Sequence, residues 1–159
     1  MTSFPEIVIN HIQQILTRYW GYSTFRSLQQ EIILSVLDGK DTLALMPTGG
    51  GKSICFQVPA MAKEGLCLVV SPLIALMKDQ VDNLERSDIT DAVTINGMLD
   101  PIERAESFKR VEDGSAALLY ISPESLRSKT IEHLLLGRNV VRFVIDEAHC
   151  FSSWGQDFR

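Results

Sequence analysis

Leu43-Ala44-Leu45-Met46-Pro47-Thr48-Gly49-Gly50-Gly51-Lys52-Ser53-Ile54-Cys55-Phe56 governs the reading of the whole chain. An apolar run stops at a proline, turns through three glycines and restarts behind Lys-Ser. This is the strand–loop–helix layout of a phosphate-binding loop. Glycines let the backbone approach an anion and take φ values that a side chain forbids. Amides opening the next helix point at the anion, and the helix dipole adds positive potential there. In such a loop Thr48, Gly49, Gly50 and Gly51 surround the phosphates, Lys52 reaches the β- and γ-phosphates, and the Ser53 hydroxyl ligates Mg²⁺. The strict pattern G-x-x-x-x-G-K-[ST] is not met, because Met46 holds its first position. A flexible glycine turn beside a chance Lys-Ser is the plain alternative for the loop alone.

Outward from the loop, apolar segments alternate with helical patterns. Thr42 to Met46 is expected as the first strand, and Lys52 to about Lys63 as the helix behind it, bent or ended by Pro59. Leu66 to Val70 is an all-apolar strand of the kind buried on both faces. Ser71-Pro72 opens a helix to about Arg86 that carries Leu73, Leu76, Met77, Val81 and Leu84. Ala92 to Ile95 is a strand, and Asp100-Pro101 starts a helix to about Asp113. Ala116 to Ile121 is a strand, Ser122-Pro123-Glu124 opens a short helix, and another lies near Thr130 to Leu136. Val140 to Ile145 is the fifth strand. Upstream, Val8, Ile12, Ile15, Leu16 and Tyr19 lie at helical spacing. An aromatic loop, Trp20 to Arg26, follows, with Ser23 or Thr24 able to cap a second helix near Ser27 to Leu37. Leu28, Ile32, Ile33, Val36 and Leu37 share one face of that helix. Strands alternating with helices predict an α/β domain: a parallel sheet covered on both faces, with ligands at the carboxyl ends of its strands.

Asp146-Glu147 stands at such an end. A phosphate site needs one carboxylate to hold hydrated Mg²⁺, here Asp146, and another to orient the attacking water, here Glu147. A solvated strand end is the plain reading of two acids alone. Together with the glycine loop in one sheet they point to Mg–ATP. The dinucleotide pattern G-x-G-x-x-G fails at Ile54, and a small P-loop kinase leaves the remaining motifs unused.

The bulk numbers set limits. A chain of 159 residues suffices for one domain with a real core, with 45% apolar and 22% charged residues. A net charge of −5 gives no overall basic footprint, so nucleic acid must be met by a local patch. Cys55, Cys67 and Cys150 are an odd count without a C-x-x-C pair, and read as apolar fillers in a reducing compartment. No run approaches a membrane span, and the N-terminus lacks a leader pattern, so the chain reads as cytoplasmic, or nuclear in a eukaryote.

At this point the residues resemble a known family. Pro47 to Ser53, followed by Ile-Cys-Phe-Gln-Val-Pro-Ala60, looks like motif I of RecQ-type DNA helicases of superfamily two, and the resemblance runs from about residue 19 to 159. Trp20 to Gln29 is similar to motif 0. That similarity implies that Tyr22 stacks on adenine and that Gln29 reads its edge, with Arg26 nearby. Ser71 to Gln80 looks like motif Ia, Tyr120 to Glu124 like motif Ib, and Asp146-Glu-Ala-His149 like motif II. Cys150 to Arg159 resembles the aromatic-rich loop that couples DNA contact to hydrolysis, which implies roles for His149, Trp154, Phe158 and Arg159. Ser27-Leu28 replaces the usual Pro-Gly of motif 0, and Gln156 a frequent histidine.

What the resemblance implies is a RecA-like P-loop domain over residues 25–159, preceded by an N-terminal helix and aromatic loop over 1–24. In the full-length protein it would couple ATP hydrolysis to 3′-to-5′ DNA unwinding in recombination and repair, with single-stranded or partly duplex DNA as its partner. Neither a second RecA-like domain nor its arginine finger is recognisable in these residues, so a fragment with an incomplete sheet and weak activity is expected. A non-catalytic nucleotide- or DNA-binding module is the alternative.

Overall fold

The structure, a computed structural model, describes residues 6–26, 28–46 and 51–147. The chain divides into two compact units, Met1–Glu64 and Gly65–Arg159.

The first unit is helical. Helix α1 (Glu6–Trp20) turns Ile12, Ile15 and Leu16 inward, on the stripe its periodicity predicts. Helices α2 (Gln29–Leu37) and α3 (Ile54–Ala62) complete a cluster with Ile33, Ile54 and Val58. Trp20 and Phe25 pack against this cluster, and Tyr19 meets Trp20 edge to face. These aromatics therefore serve the core, whereas Tyr22 stays half exposed. The helix behind the loop begins at Ile54, not Lys52, and runs three residues past Pro59 before ending. Neither Ser23 nor Thr24 caps α2. Its N-cap is Leu28, which makes no side-chain cap bond and lies in the left-handed region at φ 72°. Leu28 also points away from the face expected of it and is 51% exposed.

The expected first strand does not form. Residues 41–46 carry no strand pairing, and Leu43 and Leu45 are each 82% exposed. A strand exists only where its backbone groups find a neighbour. The sheet's four strands all lie in the second unit, so four rather than five are present among the described residues.

Those four are β1 (Leu66–Val70), β2 (Ala92–Ile95), β3 (Leu118–Ile121) and β4 (Val140–Ile145), ordered β2-β3-β1-β4 and all parallel. Every residue of β1 and β3 is buried, as a continuous apolar run in a covered parallel sheet requires. The connections are helical: α4 (Ile74–Arg86), α5 (Pro101–Glu112), α6 (Pro123–Leu126) and α7 (Lys129–Leu136). One face of the sheet, with Leu66, Leu68, Val70, Val93, Ile95, Leu119 and Ile121, packs with Val111 of α5 and Ile131 of α7. Helix α4 buries Met77, Val81 and Leu84. Leu73 and Leu76, expected on that stripe, remain 38% and 44% exposed. Leu73 precedes the helix, and Leu76 sits one position, about 100° of helical rotation, off the 77/81/84 line. Asp100 caps α5 by accepting from the Glu103 amide at 2.8 Å, as its position before Pro101 predicts.

The register slips between Leu66 and Cys67 against β4, so Val141 falls outside the pairing as a bulge. Gly65 lies beside it at φ +111°, where a Cβ would stand 2.4 Å from Val141 Cγ1. Only glycine fits that corner.

Candidate functional site

The sheet ends evenly. Val70, Ile95, Ile121 and Ile145 are aligned across the four strands. The next residue in each is polar: Ser71, Asn96, Ser122 and Asp146. Ser71, Asn96 and Ser122 are 3%, 3% and 1% exposed. Buried polar groups must be bonded, and these are. Ser71 Oγ accepts from the Leu73 amide, Asn96 Oδ1 from the Met98 amide, and Ser122 Oγ from Ser125. From the sequence Asn96, ahead of Gly97, reads as a turn residue; no spacing distinguishes a buried asparagine from a turn asparagine. Parallel strands gather ligand-facing groups at this edge.

Asp146 sits there through its amide, which donates to the Val70 carbonyl at 2.9 Å. Its Oδ1 accepts from the Glu147 amide at 3.0 Å. Glu147 lies at φ 56°, a left-handed conformation uncommon for a residue with a side chain. Such strain persists only where the surroundings hold it, and it collects at functional sites. The strand thus delivers two adjacent carboxylates with different backbone orientations. Hard oxygen donors of this kind suit Mg²⁺.

In the first unit, Tyr22, Ser23, Thr24, Arg26, Gln29, Gly51 and Ile54 line one cavity of about 300 Å³. That is the lower end of the range for small-molecule clefts, room for a base. Helix α1 fixes the near wall: Thr17 Oγ1 donates to the Tyr22 carbonyl at 2.9 Å, and Gln13 Nε2 to the Ser23 carbonyl at 2.8 Å. So Tyr22, Arg26 and Gln29, named from the sequence, do come together, and with Gly51. A larger depression of about 450 Å³ is lined by α1 alone and converges on no chemical group.

Gln29 lines this cavity and is 2% exposed. Its Oε1 accepts from the Arg26 amide at 2.8 Å and its Nε2 donates to the Gly51 carbonyl at 3.0 Å. The first bond reaches back three residues, from the first residue of α2 to the loop ahead of its N-cap Leu28. The second spans 22 positions and had no signal in the sequence beyond the presence of Gly51 itself. Gly51 has φ +74°, and a Cβ on it would fall 2.5 Å from Gln29 Nε2. Position 51 is thus closed to any side chain.

Lys52 and Ser53 follow in a turn. Their carbonyls accept from the Cys55, Phe56 and Gln57 amides to start α3. Ser53 makes no side-chain cap bond. Cys55 and Cys67 are buried free thiols, and burial pushes both up to about 11. For Cys67 the nearby Arg142 opposes that rise. Neither is a nucleophile at neutral pH. Thr48, Gly49, Gly50, His149, Trp154, Phe158 and Arg159 lie outside the described residues.

Comparison with known proteins agrees with this layout. A family model described as DEAD/DEAH box helicase matches residues 26–159. The chain is 45% identical over 148 residues to the probable ATP-dependent DNA helicase RecS of Bacillus subtilis, covering 93% of this chain and 29% of that protein. It is 46% identical over 153 residues to the ATP-dependent DNA helicase RecQ of the same organism, covering 96% and 26%. Against the ATP-dependent DNA helicase Q5 of Rattus norvegicus the identity is 41% over 156 residues, covering 93% and 16%. The chain therefore spans less than a third of the length of these relatives. A parallel α/β sheet with a two-carboxylate strand end, and a family match over most of the length, place the chain among the DEAD/DEAH box helicases, similar within them to the RecQ and RecS proteins.

Proposed function

We propose that this chain is the ATP-binding motor module of a RecQ-like DNA helicase, with residues 25–159 as the first RecA-like domain and 1–24 as its N-terminal helix and aromatic loop. The observation that carries this is the cavity of Tyr22, Arg26, Gln29 and Gly51, the last of which immediately precedes Lys52 and Ser53 in the chain. A ring face and a carboxamide are the groups that hold a purine. Lys52 neutralises the β- and γ-phosphates, with Thr48 to Gly51 supplying backbone amides. Ser53 and Asp146 hold Mg²⁺, which when bound offsets charge developing on the transferred phosphoryl group. Glu147 accepts a hydrogen bond from the attacking water and orients it. His149, Trp154, Phe158 and Arg159 carry the DNA contact and its coupling to hydrolysis, through stacking and a phosphate contact. In the whole protein the work is 3′-to-5′ DNA unwinding, with single-stranded or partly duplex DNA as the partner, in the bacterial cytoplasm or the eukaryotic nucleus.

The test is nucleotide binding and single-strand-stimulated ATP hydrolysis by the chain, with Lys52→Ala as the control. Losing one charged phosphate contact is expected to weaken ATP binding by at least about tenfold. Equal inactivity of wild type and Lys52→Ala toward ATP, with DNA present, would overturn the motor reading.

A further inference from the structure

Gln29 invites a question that base recognition alone does not answer. Its side chain is buried to 2% exposure, and both ends of its amide are engaged by the protein backbone. One end holds the loop that carries Tyr22 and Arg26. The other holds the last glycine before Lys52. The peptide between Gly51 and Lys52 is planar and trans, so its carbonyl and its N–H point in opposite directions. Fixing the Gly51 carbonyl on Gln29 therefore fixes the direction of the Lys52 amide, away from Gln29. The turn that follows carries this constraint into α3, because the carbonyls of Lys52 and Ser53 accept its first hydrogen bonds. Gly51 lies so close against Gln29 that a Cβ on it would fall 2.5 Å from Nε2.

We propose that Gln29 is a positioning residue for the phosphate loop: its amide ties the Arg26 backbone to the Gly51 carbonyl, so that the wall of the base cavity and the start of the phosphate-binding turn form one unit. This deepens the nucleotide-site reading and rests on it. The consequence is specific. A residue that only reads a base matters only when a base is present. A residue that sets the Lys52 amide matters equally for a polyphosphate with no base at all.

The experiment compares ATP with inorganic tripolyphosphate, each with Mg²⁺, by calorimetry on the wild-type chain and Gln29→Met. Methionine keeps the length and apolar stem and removes both hydrogen bonds. Gln29→Met is expected to weaken tripolyphosphate binding about tenfold, the worth of one backbone tie, and ATP binding by at least as much. Amide exchange on the unliganded chain supplies the second readout. Without the tie, the Cys55, Phe56 and Gln57 amides exchange about tenfold faster, while Ile12, Ile15 and Leu16 of α1 keep wild-type rates. General loosening would instead speed both helices together. Should Gln29→Met fail to fold, Gln29→Glu takes its place, with the same shape and only the Arg26 bond retained.

Loss of ATP affinity with tripolyphosphate affinity intact would overturn the proposal in favour of pure base reading. Unchanged exchange at residues 55–57 would overturn it too, as would exchange that rises equally in α1. If the wild-type chain binds neither ligand, the nucleotide-site reading falls, and the tie is then judged by the exchange measurement alone.

Discussion

Replacing Gly51 by alanine tests the structure at its tightest point. Two separate costs meet there. The first is backbone: an alanine at φ +74° pays roughly 1–2 kcal/mol for the left-handed conformation. The second is steric. The new Cβ would stand 2.5 Å from Gln29 Nε2, so the amide must leave. Its departure breaks the 3.0 Å bond to Gly51 and, once the side chain swings, the 2.8 Å bond to Arg26. At about 1 kcal/mol net for each bond, Gly51→Ala should cost about 3–4 kcal/mol. In a Gln29→Ala background the steric part vanishes, and the same substitution should cost only about 1–2 kcal/mol. The measurement is urea unfolding followed by tryptophan fluorescence. The chain has two tryptophans, so a Trp154→Phe background leaves Trp20, packed on the α1–α3 cluster, as the reporter. Equal cost in the two backgrounds would refute the contact between Gln29 and Gly51. A cost below about 1 kcal/mol in the wild-type background would refute the left-handed glycine as well.

Other expectations follow from single features. Gly65→Ala should destabilise the second unit by about 3 kcal/mol or more, because φ +111° and the Val141 contact both oppose a Cβ; Val141→Ala should recover part of this in a double-mutant cycle by urea unfolding. At position 28 the usual helix ranking should invert. Leu28 sits at φ 72° and half exposed, so Leu28→Gly should be more stable than Leu28→Ala by about 0.5–1 kcal/mol in thermal melts, whereas at Ser35, inside α2, alanine should win. With thiols raised to about 11, about one in a thousand of Cys55 or Cys67 is ionised at pH 8, so iodoacetamide should leave both unmodified in the native chain and label both in urea, as read by mass spectrometry. The same shifts have a stability sign. Unfolded thiols ionise near 9 while the folded ones hold their protons to about 11, so stability should fall as pH rises through that window.

Much of this was legible in the chain because local chemistry dictated it. The boundaries of β1, β2 and β4 follow from apolar runs bounded by polar residues, and Asp100 announces α5 by its capping chemistry. The polar residues after β1, β3 and β4 were legible as well, since Ser71, Ser122 and Asp146 interrupt runs that have no other reason to stop. What failed did so for lack of a partner term. Residues 42–46 have strand composition, but composition does not supply the neighbour whose hydrogen bonds make a strand. Leu76 has the right hydrophobicity, yet a one-residue offset turns its side chain about 100° around the helix, and Leu28 and Leu73 fall just ahead of their helices. The Gln29–Gly51 bond joins two short motifs that each read correctly alone. Their contact is a property of three helices packing, and no spacing encodes it.

The strand order carries a further consequence for how the chain is made. Strand β1 lies between β3 and β4, and neither is its neighbour in sequence. As a ribosome releases the chain, Leu66-Cys67-Leu68-Val69-Val70 emerges long before Ile121, the end of its first partner, and longer still before Ile145, the end of its second. At about 5–20 residues per second, those waits amount to several seconds during which five consecutive apolar residues have no ladder to join. Helices α1, α2 and α3 contain their own core and can settle in that time. The sheet cannot, so newly made chains should be most exposed to aggregation, and most in need of a chaperone, between the synthesis of β1 and the synthesis of β4.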